Sequence, residues 1–338
     1  MKKVNRIILI GFGVLLFLNG GFFAWFMVKQ NNKEMDTSVV IESIPTPKPL
    51  LVYTFDNLTN RKYEASKIEI GEEIEEYSGE KYEARLFSFL SDGKKVTGQI
   101  NMPMTTNSRK FPVIIMLRGY VDREIYRTGI GTNRAAGVLA ANGYVTLAPD
   151  FLGYGGSDMP DDDVWWDRFN NPVIVMNLIA SLENLEIVDT SRVGIWGHSN
   201  GGQIALSVLE ISQANYPTSL WAPVTKPFPY SILYFTDEFS DRGKALRAEI
   251  ARLEADYDVD EFSIDNYFDW IESPIQIHQG TNDEAVPLRW SNEFVDKMKD
   301  LEKEIEYFVW NGAGHNMEGS WSEVVIKDLD FFKKNLLD

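Results

Sequence analysis

From residue 112 to the C-terminus, short apolar runs alternate with helical stretches, and this alternation constrains the fold more than any other feature of the chain. Pro112–Leu117, Tyr144–Pro149, Arg192–Trp196, Ser219–Ala222, Pro274–His278 and Ile305–Trp310 are four to six residues long, which suits a buried strand and is too short for a stable helix. Residues 132–142, 171–185, 200–212, 287–301 and 319–336 carry helical patterning between them. Strands separated by helices of this length pair in parallel, because the helix is the crossover that returns the chain to the sheet. The expected fold class is α/β, a mostly parallel central sheet flanked by helices. Upstream, Lys81–Phe89 and Val96–Asn101 flank Asp92-Gly93 and read as two strands across a turn.

Two segments stand outside this alternation. Residues 223–272 are too long for a simple crossover and are dense in aromatic residues, among them Phe228, Tyr234, Phe262 and Trp270. Long insertions between sheet strands tend to be functional, and a helical lid over a site is the expectation here, with a helix over Arg242–Tyr257. Residues Ile7 to Val28 form an apolar run without a charge, preceded by Lys2, Lys3 and Arg6. A run of this length is expected to span a bilayer as a helix. The basic flank would keep the N-terminus cytoplasmic and the rest of the chain outside, as a single-pass membrane protein. A cleaved signal peptide is the competing reading. The expected organisation is thus an anchor over 1–28, a proline-containing linker over 29–49 and a catalytic domain over 50–338.

Composition removes several functions. There is no cysteine, so disulfide scaffolds, thiol nucleophiles and thiolate metal sites are excluded. The formal net charge is −17 although residues 1–29 are basic, which makes nucleic acid an unexpected partner for the acidic remainder. Oligomeric state is not legible. No phosphate-binding loop, dinucleotide fingerprint or metal-ligand spacing is found, so neither cofactor nor metal is expected.

The chemistry concentrates in three loops. Gly197-His198-Ser199-Asn200-Gly201 lies between the strand 192–196 and the helix 200–212, the strand–turn–helix setting in which a G-x-S-x-G turn exposes its serine. A serine hydroxyl needs a base, and the chain has three histidines. His198 neighbours the serine and is expected to point away from it, and His278 lies within a strand. His315 stands in Gly312-Ala-Gly-His-Asn316 directly after the last strand and is the candidate base. Asp283, in the loop after Pro274–His278, is the candidate for orienting that base, ahead of its neighbour Glu284. The order Ser199, Asp283, His315 is that of α/β-hydrolases. The backbone N–H groups of Asn200 and Tyr120 are the expected oxyanion donors. Tyr154, Trp165 and Trp166 are candidate substrate-binding side chains, with packing the alternative for the two tryptophans.

These residues carry a resemblance. Val113–Gly119, the loop Asp150–Asp158, Gly197–Gly202, Gln279–Pro287 and Gly312–Asn316 resemble the catalytic domain of the prolyl oligopeptidase family and its dienelactone-hydrolase-like relatives, from about residue 84 onward and without a β-propeller. The resemblance implies an α/β-hydrolase fold, a triad on Ser199, Asp283 and His315, and cleavage of peptide or ester bonds in small substrates through an acyl-enzyme. Arg118 stands where many relatives carry His or Asn, which leaves peptidase and carboxylesterase both open. A non-catalytic binding protein on the same fold is the alternative of another class.

Overall fold

The computed structural model describes residues 48–104, 110–161, 163–236 and 239–337. Its strands are β1 (Glu69–Glu73), β2 (Tyr82–Ser91), β3 (Lys94–Pro103), β4 (Phe111–Leu117), β5 (Val145–Pro149), β6 (Val188–His198), β7 (Thr218–Trp221), β8 (Ile275–Gly280) and β9 (Ile305–Trp310). The helices are α1 (Phe55–Thr59), α2 (Asn133–Ala141), α3 (Val164–Ser181), α4 (Asn200–Ser212), α5 (Tyr230–Leu233), α6 (Lys244–Asp256), α7 (Leu288–Asp300) and α8 (Trp321–Leu336).

The strands form one nine-stranded sheet in the order β1-β2-β3-β5-β4-β6-β7-β8-β9. Pairing is antiparallel from β1 through β3 to β5 and parallel from β5 to β9. The central parallel strands β4 and β5 are buried on both faces, which is why they read as nearly unbroken apolar runs, whereas the equally buried β8 alternates isoleucine with glutamine and histidine. β5 lies on one side of β4 and β6 on the other, so the connections leaving β4 and β6 diverge. That reversal opens a crevice at the carboxyl ends of β4 and β6, where open parallel sheets bind ligands.

The sheet is held by helices on its apolar faces. Ile114 and Met116 of β4, Trp196 of β6 and Trp221 of β7 pack in one cluster with Leu139 of α2 and with Phe331, Phe332 and Leu336 of α8. Each such fully buried side chain contributes about 1.5–3 kcal/mol. A polar knot lies in the same region. Asp328 of α8 accepts hydrogen bonds from Ser219 Oγ at 2.5 Å and Trp221 Nε1 at 2.9 Å, and His278 Nε2 lies 3.2 Å away. His278 is therefore committed to the core of the sheet.

Part of the expected fold is corrected. Among the described residues, no helix is long and apolar enough to cross a membrane. The helices that pack on the sheet need only one apolar side. Even α3, 18 residues long, carries Asp167, Arg168 and three asparagines. The segment 1–28, where the transmembrane helix was expected, lies outside the described residues, as does most of the linker 29–49.

The described residues separate into two compact units, one holding Ile232–Tyr257 and the other Leu50–Ser231 with the residues from Asp258 onward. The larger contains the entire sheet. The insertion 223–272 is thus divided, and its two ends belong to the sheet unit. In the smaller unit, α6 forms close to where the sequence places a helix. Gly243 opens it with φ 71°, and Asp241 accepts hydrogen bonds from the N–H groups of Gly243 and Ala245.

Candidate active site

Ser199 occupies the turn between β6 and α4 with φ 56° and ψ −119°, a backbone conformation that non-glycine residues rarely adopt. The surroundings hold it there. Its N–H donates to Trp221 O at 2.9 Å, and its carbonyl accepts from Gly202 N and Val224 N, both at 3.0 Å. The flanking glycines are required by proximity. A Cβ on Gly201 would lie 2.0 Å from Leu117 O, and one on Gly197 would lie 2.8 Å from Gly201 O. The motif is thus the condition for α4 to leave β6 this sharply while touching the end of β4.

His315 and Asp283 meet beside this turn. His315 Nδ1 is 2.9 Å from Asp283 Oδ2 and 3.1 Å from Oδ1. Nδ1–H therefore faces the carboxylate, and Nε2 is the nitrogen left to accept a proton. The Asp283 carboxylate is fully enclosed and receives hydrogen bonds from Ala285 N at 2.9 Å, Val286 N at 2.8 Å and Gln279 Nε2 at 2.9 Å. Burial opposes its charge, but the hydrogen bond and charge of His315 and the donors from Val286 and Gln279 outweigh burial and hold the carboxyl below its ordinary range. Glu284, the adjacent carboxylate, is exposed.

His198, next to Ser199 in the chain, contacts the loop that carries His315. The His198 ring packs against that of His315, with centroids 4.6 Å apart, and its Nε2 donates to the His315 carbonyl at 3.0 Å. The sequence reading sent His198 away from the serine. Its ring braces the loop that carries His315, and nothing in the spacing of the motif signals that. Burial, and then the proximity of His315, push the His198 pKa down to about 4, so His198 is neutral near pH 7. Gln279 is a second residue missed. It donates to Asp283 and accepts from Ser291 Oγ at 2.8 Å, which locks the carboxylate to α7.

The expected oxyanion donors lie close to Ser199. Asn200 is the first residue of α4, so its N–H has no intrahelical acceptor. Tyr120 follows Gly119, and a Cβ on Gly119 would come within 3.0 Å of Ser199 Cβ. Arg118 fixes this loop. Its guanidinium donates to Gly119 O at 2.9 Å and Asp150 O at 3.0 Å, and lies 4.5 Å from the Tyr126 ring centroid and 4.2 Å from that of Tyr154. Arg118 thus ties the loop after β4 to the end of β5.

A cavity of about 230 Å³ opens at Tyr120 and Asn200. Gln203, Tyr154, Phe228 and Phe262 are among its walls, so both ends of the insertion that belong to the sheet unit reach it. Of the three candidate substrate-binding side chains, Tyr154 lines this cavity. Trp165 and Trp166 are not among its lining residues. Asp163 caps α3 by accepting from the N–H groups of both tryptophans, at 2.7 and 3.1 Å. Trp165 then packs on Phe169 and Phe228, and Trp166 on Tyr53 with Lys94 over its ring. Among the described residues, no group of three or more His, Cys, Asp or Glu side chains could hold a metal ion.

Similarity to known proteins agrees with this geometry. Residues 132–338 match the model of the prolyl oligopeptidase family. The chain is 21% identical over 253 residues to the uncharacterized peptidase YtmA of Bacillus subtilis, covering 73% of this chain and 91% of that one. Among solved structures, an acetyl xylan esterase from Paenibacillus sp. R4 superposes with TM-score 0.62 at 19% identity, covering 86% of this chain and all of the esterase. The acylaminoacyl peptidase of Pyrococcus horikoshii superposes with TM-score 0.58 at 20% identity, over 76% of this chain and 42% of the peptidase. At these identities the superpositions establish the fold, and the chain spans about two fifths of the peptidase structures it matches. The family match covers more than half of the chain, and with it the conclusion follows that the protein is a serine hydrolase belonging to the prolyl oligopeptidase family.

Proposed function

We propose that the protein hydrolyses ester and amide bonds of small acyl substrates through an acyl-enzyme on Ser199. The observation that carries this reading is the conjunction of the strained Ser199 turn with the hydrogen-bonded Asp283–His315 pair beside it. Ser199 Oγ attacks the substrate carbonyl while His315 Nε2 takes its proton. Asp283 keeps the proton of His315 on Nδ1 and stabilises the imidazolium. The oxyanion of the tetrahedral intermediate accepts hydrogen bonds from Tyr120 N–H and Asn200 N–H. Collapse expels the leaving group, which receives the proton from Nε2. Water then repeats the sequence and releases the acid.

Peptide amides are the first substrate class, in keeping with the family. The second, carboxylesters, is favoured by the cavity, whose small volume suits one short acyl group or side chain. Phe228 and Phe262 would set the size that fits. The test compares kcat/KM for aminoacyl-proline amides and short-chain acyl esters in the wild type and in Ser199→Ala. The reading expects turnover of at least one class and its loss in the folded variant. Equal turnover by wild type and Ser199→Ala would overturn it.

A further inference from the structure

The walls of the cavity include one residue whose environment is incomplete. Arg168, on α3, lines the cavity and lies among neutral partners. One terminal nitrogen donates to Gln203 Oε1 at 2.6 Å and to Ser231 Oγ at 3.3 Å, and the guanidinium lies 5.7 Å from the Phe228 ring centroid. Among the described residues, no carboxylate forms an ion pair with it. Its neighbour Asp167 also borders the cavity but is paired with Arg123 at 3.3 Å, since consecutive residues of a helix do not share a face. Burial alone pulls the Arg168 pKa down to about 10, with no acidic group to offset it. A guanidinium is planar and presents paired donors suited to a carboxylate, and only part of its capacity is used here.

Two further observations point the same way. Arg118, the other arginine of the cavity wall, is held by aromatic rings and main-chain carbonyls rather than by an ion pair. Two arginines without ion pairs in one cavity are not a consequence of composition, because the protein carries a net charge of −17. And the cavity follows one face of α4. Asn200, Gln203, Ile204 and Ser207 line it at helical spacing. Gln203, the partner of Arg168, is therefore about one helical turn, roughly 5 Å along the axis, from the N–H of Asn200.

We propose that this cavity binds a carboxylate of the substrate through Arg168, so that the preferred substrates are acyl compounds bearing an acidic group a few bonds from the scissile carbonyl. The proposal rests on the hydrolase reading above and adds its substrate class. Arg168 would be a specificity-determining residue. A purely structural role, tying α3 to α4 and Ser231, would make its loss lower stability and turnover of all substrates alike. Recognition makes its loss selective.

The experiment uses two matched pairs on the full chain. One places the carboxylate on the acyl side, 4-nitrophenyl hydrogen glutarate against 4-nitrophenyl methyl glutarate. The other places it on the leaving group, 4-carboxybutyl butanoate against its methyl ester. In wild type, at least one pair is expected to favour the carboxylate member by tenfold or more in kcat/KM. Arg168→Met should lower that ratio at least tenfold, and Arg168→Lys should retain part of it. Neutral preference in both pairs for wild type, or an unchanged ratio in folded Arg168→Met, would overturn the proposal, and the wild-type ratios decide even if the variant fails to fold. Labelling of wild-type Ser199 by a fluorophosphonate reports separately on the hydrolase reading. Should that labelling fail, calorimetric titration of Ser199→Ala with glutarate still tests the cavity: saturable binding that dimethyl glutarate does not reproduce supports it, and no binding counts against it.

Discussion

At the scale of single residues, the partners to which each charged or polar group is committed decide what it can do. Asp283 meets His315 and is enclosed by donors, whereas Glu284 is exposed. Asp283→Asn should therefore lower kcat by roughly three to four orders of magnitude, and Glu284→Gln should leave it nearly unchanged, as measured by steady-state kinetics. Two other buried groups act on stability with opposite signs. His198 is held at a pKa of about 4 by burial and by His315, against an ordinary value near 6.5. An unfolded chain takes up this proton first, so stability is lost as pH falls from about 6.5 to about 4, by roughly 2–3 kcal/mol. Glu210, buried in α4 with no hydrogen-bond partner for either carboxyl oxygen among the described residues, is raised well above its ordinary range by burial and by Asp265 and Asp269. The folded state keeps that proton, so stability falls as pH rises above about 4.5. Denaturant titrations across pH 4–8 should find the acid limb flattened in His198→Gln and the neutral side raised in Glu210→Gln. The His198→Gln variant should also lose kcat more than it changes KM, because the ring braces the His315 loop.

At the scale of elements, much was legible because each strand and helix of the sheet unit satisfies its own local rules. The strand–turn–helix around Ser199 and the loops after β8 and β9 could be placed from sequence because apolar runs, glycines and chain order coincide there. What was not legible depends on direction. Trp165 and Trp166 could be seen as adjacent aromatics, but not that Asp163 starts α3 ahead of them and sends them into packing. The sequence suggested a helix over 171–185; instead α3 begins at Val164 and Pro172 lies inside it. β1 was missed because all five of its residues are exposed and it has no apolar signature. The contact of α4 with β4 gives the prediction at this scale. Gly201→Ala would drive a methyl to 2.0 Å from Leu117 O, so α4 must shift, at a cost of about 4 kcal/mol or more. Thermal melts and solubility check this, and a variant of wild-type stability would mean that the turn is looser than described.

At the scale of the whole molecule, a doubly wound sheet positions His315, Asp283 and the strained Ser199 turn after strands that are far apart in sequence. The insertion between β7 and β8 returns Phe228 and Phe262 to the cavity, so substrate size and chemistry should be separable. Phe228→Ala or Phe262→Ala should shift the ratio of kcat/KM toward longer acyl esters, about tenfold for a side chain of this size, whereas the triad variants lower all substrates together. The central claim is that Ser199 is an activated nucleophile. The direct measurement is reaction of the folded wild-type protein with a fluorophosphonate, followed by peptide mapping. The account predicts one adduct per chain, on Ser199, lost on prior denaturation and greatly slowed in Asp283→Asn. A folded protein that forms no adduct, or forms it on another residue, would contradict it.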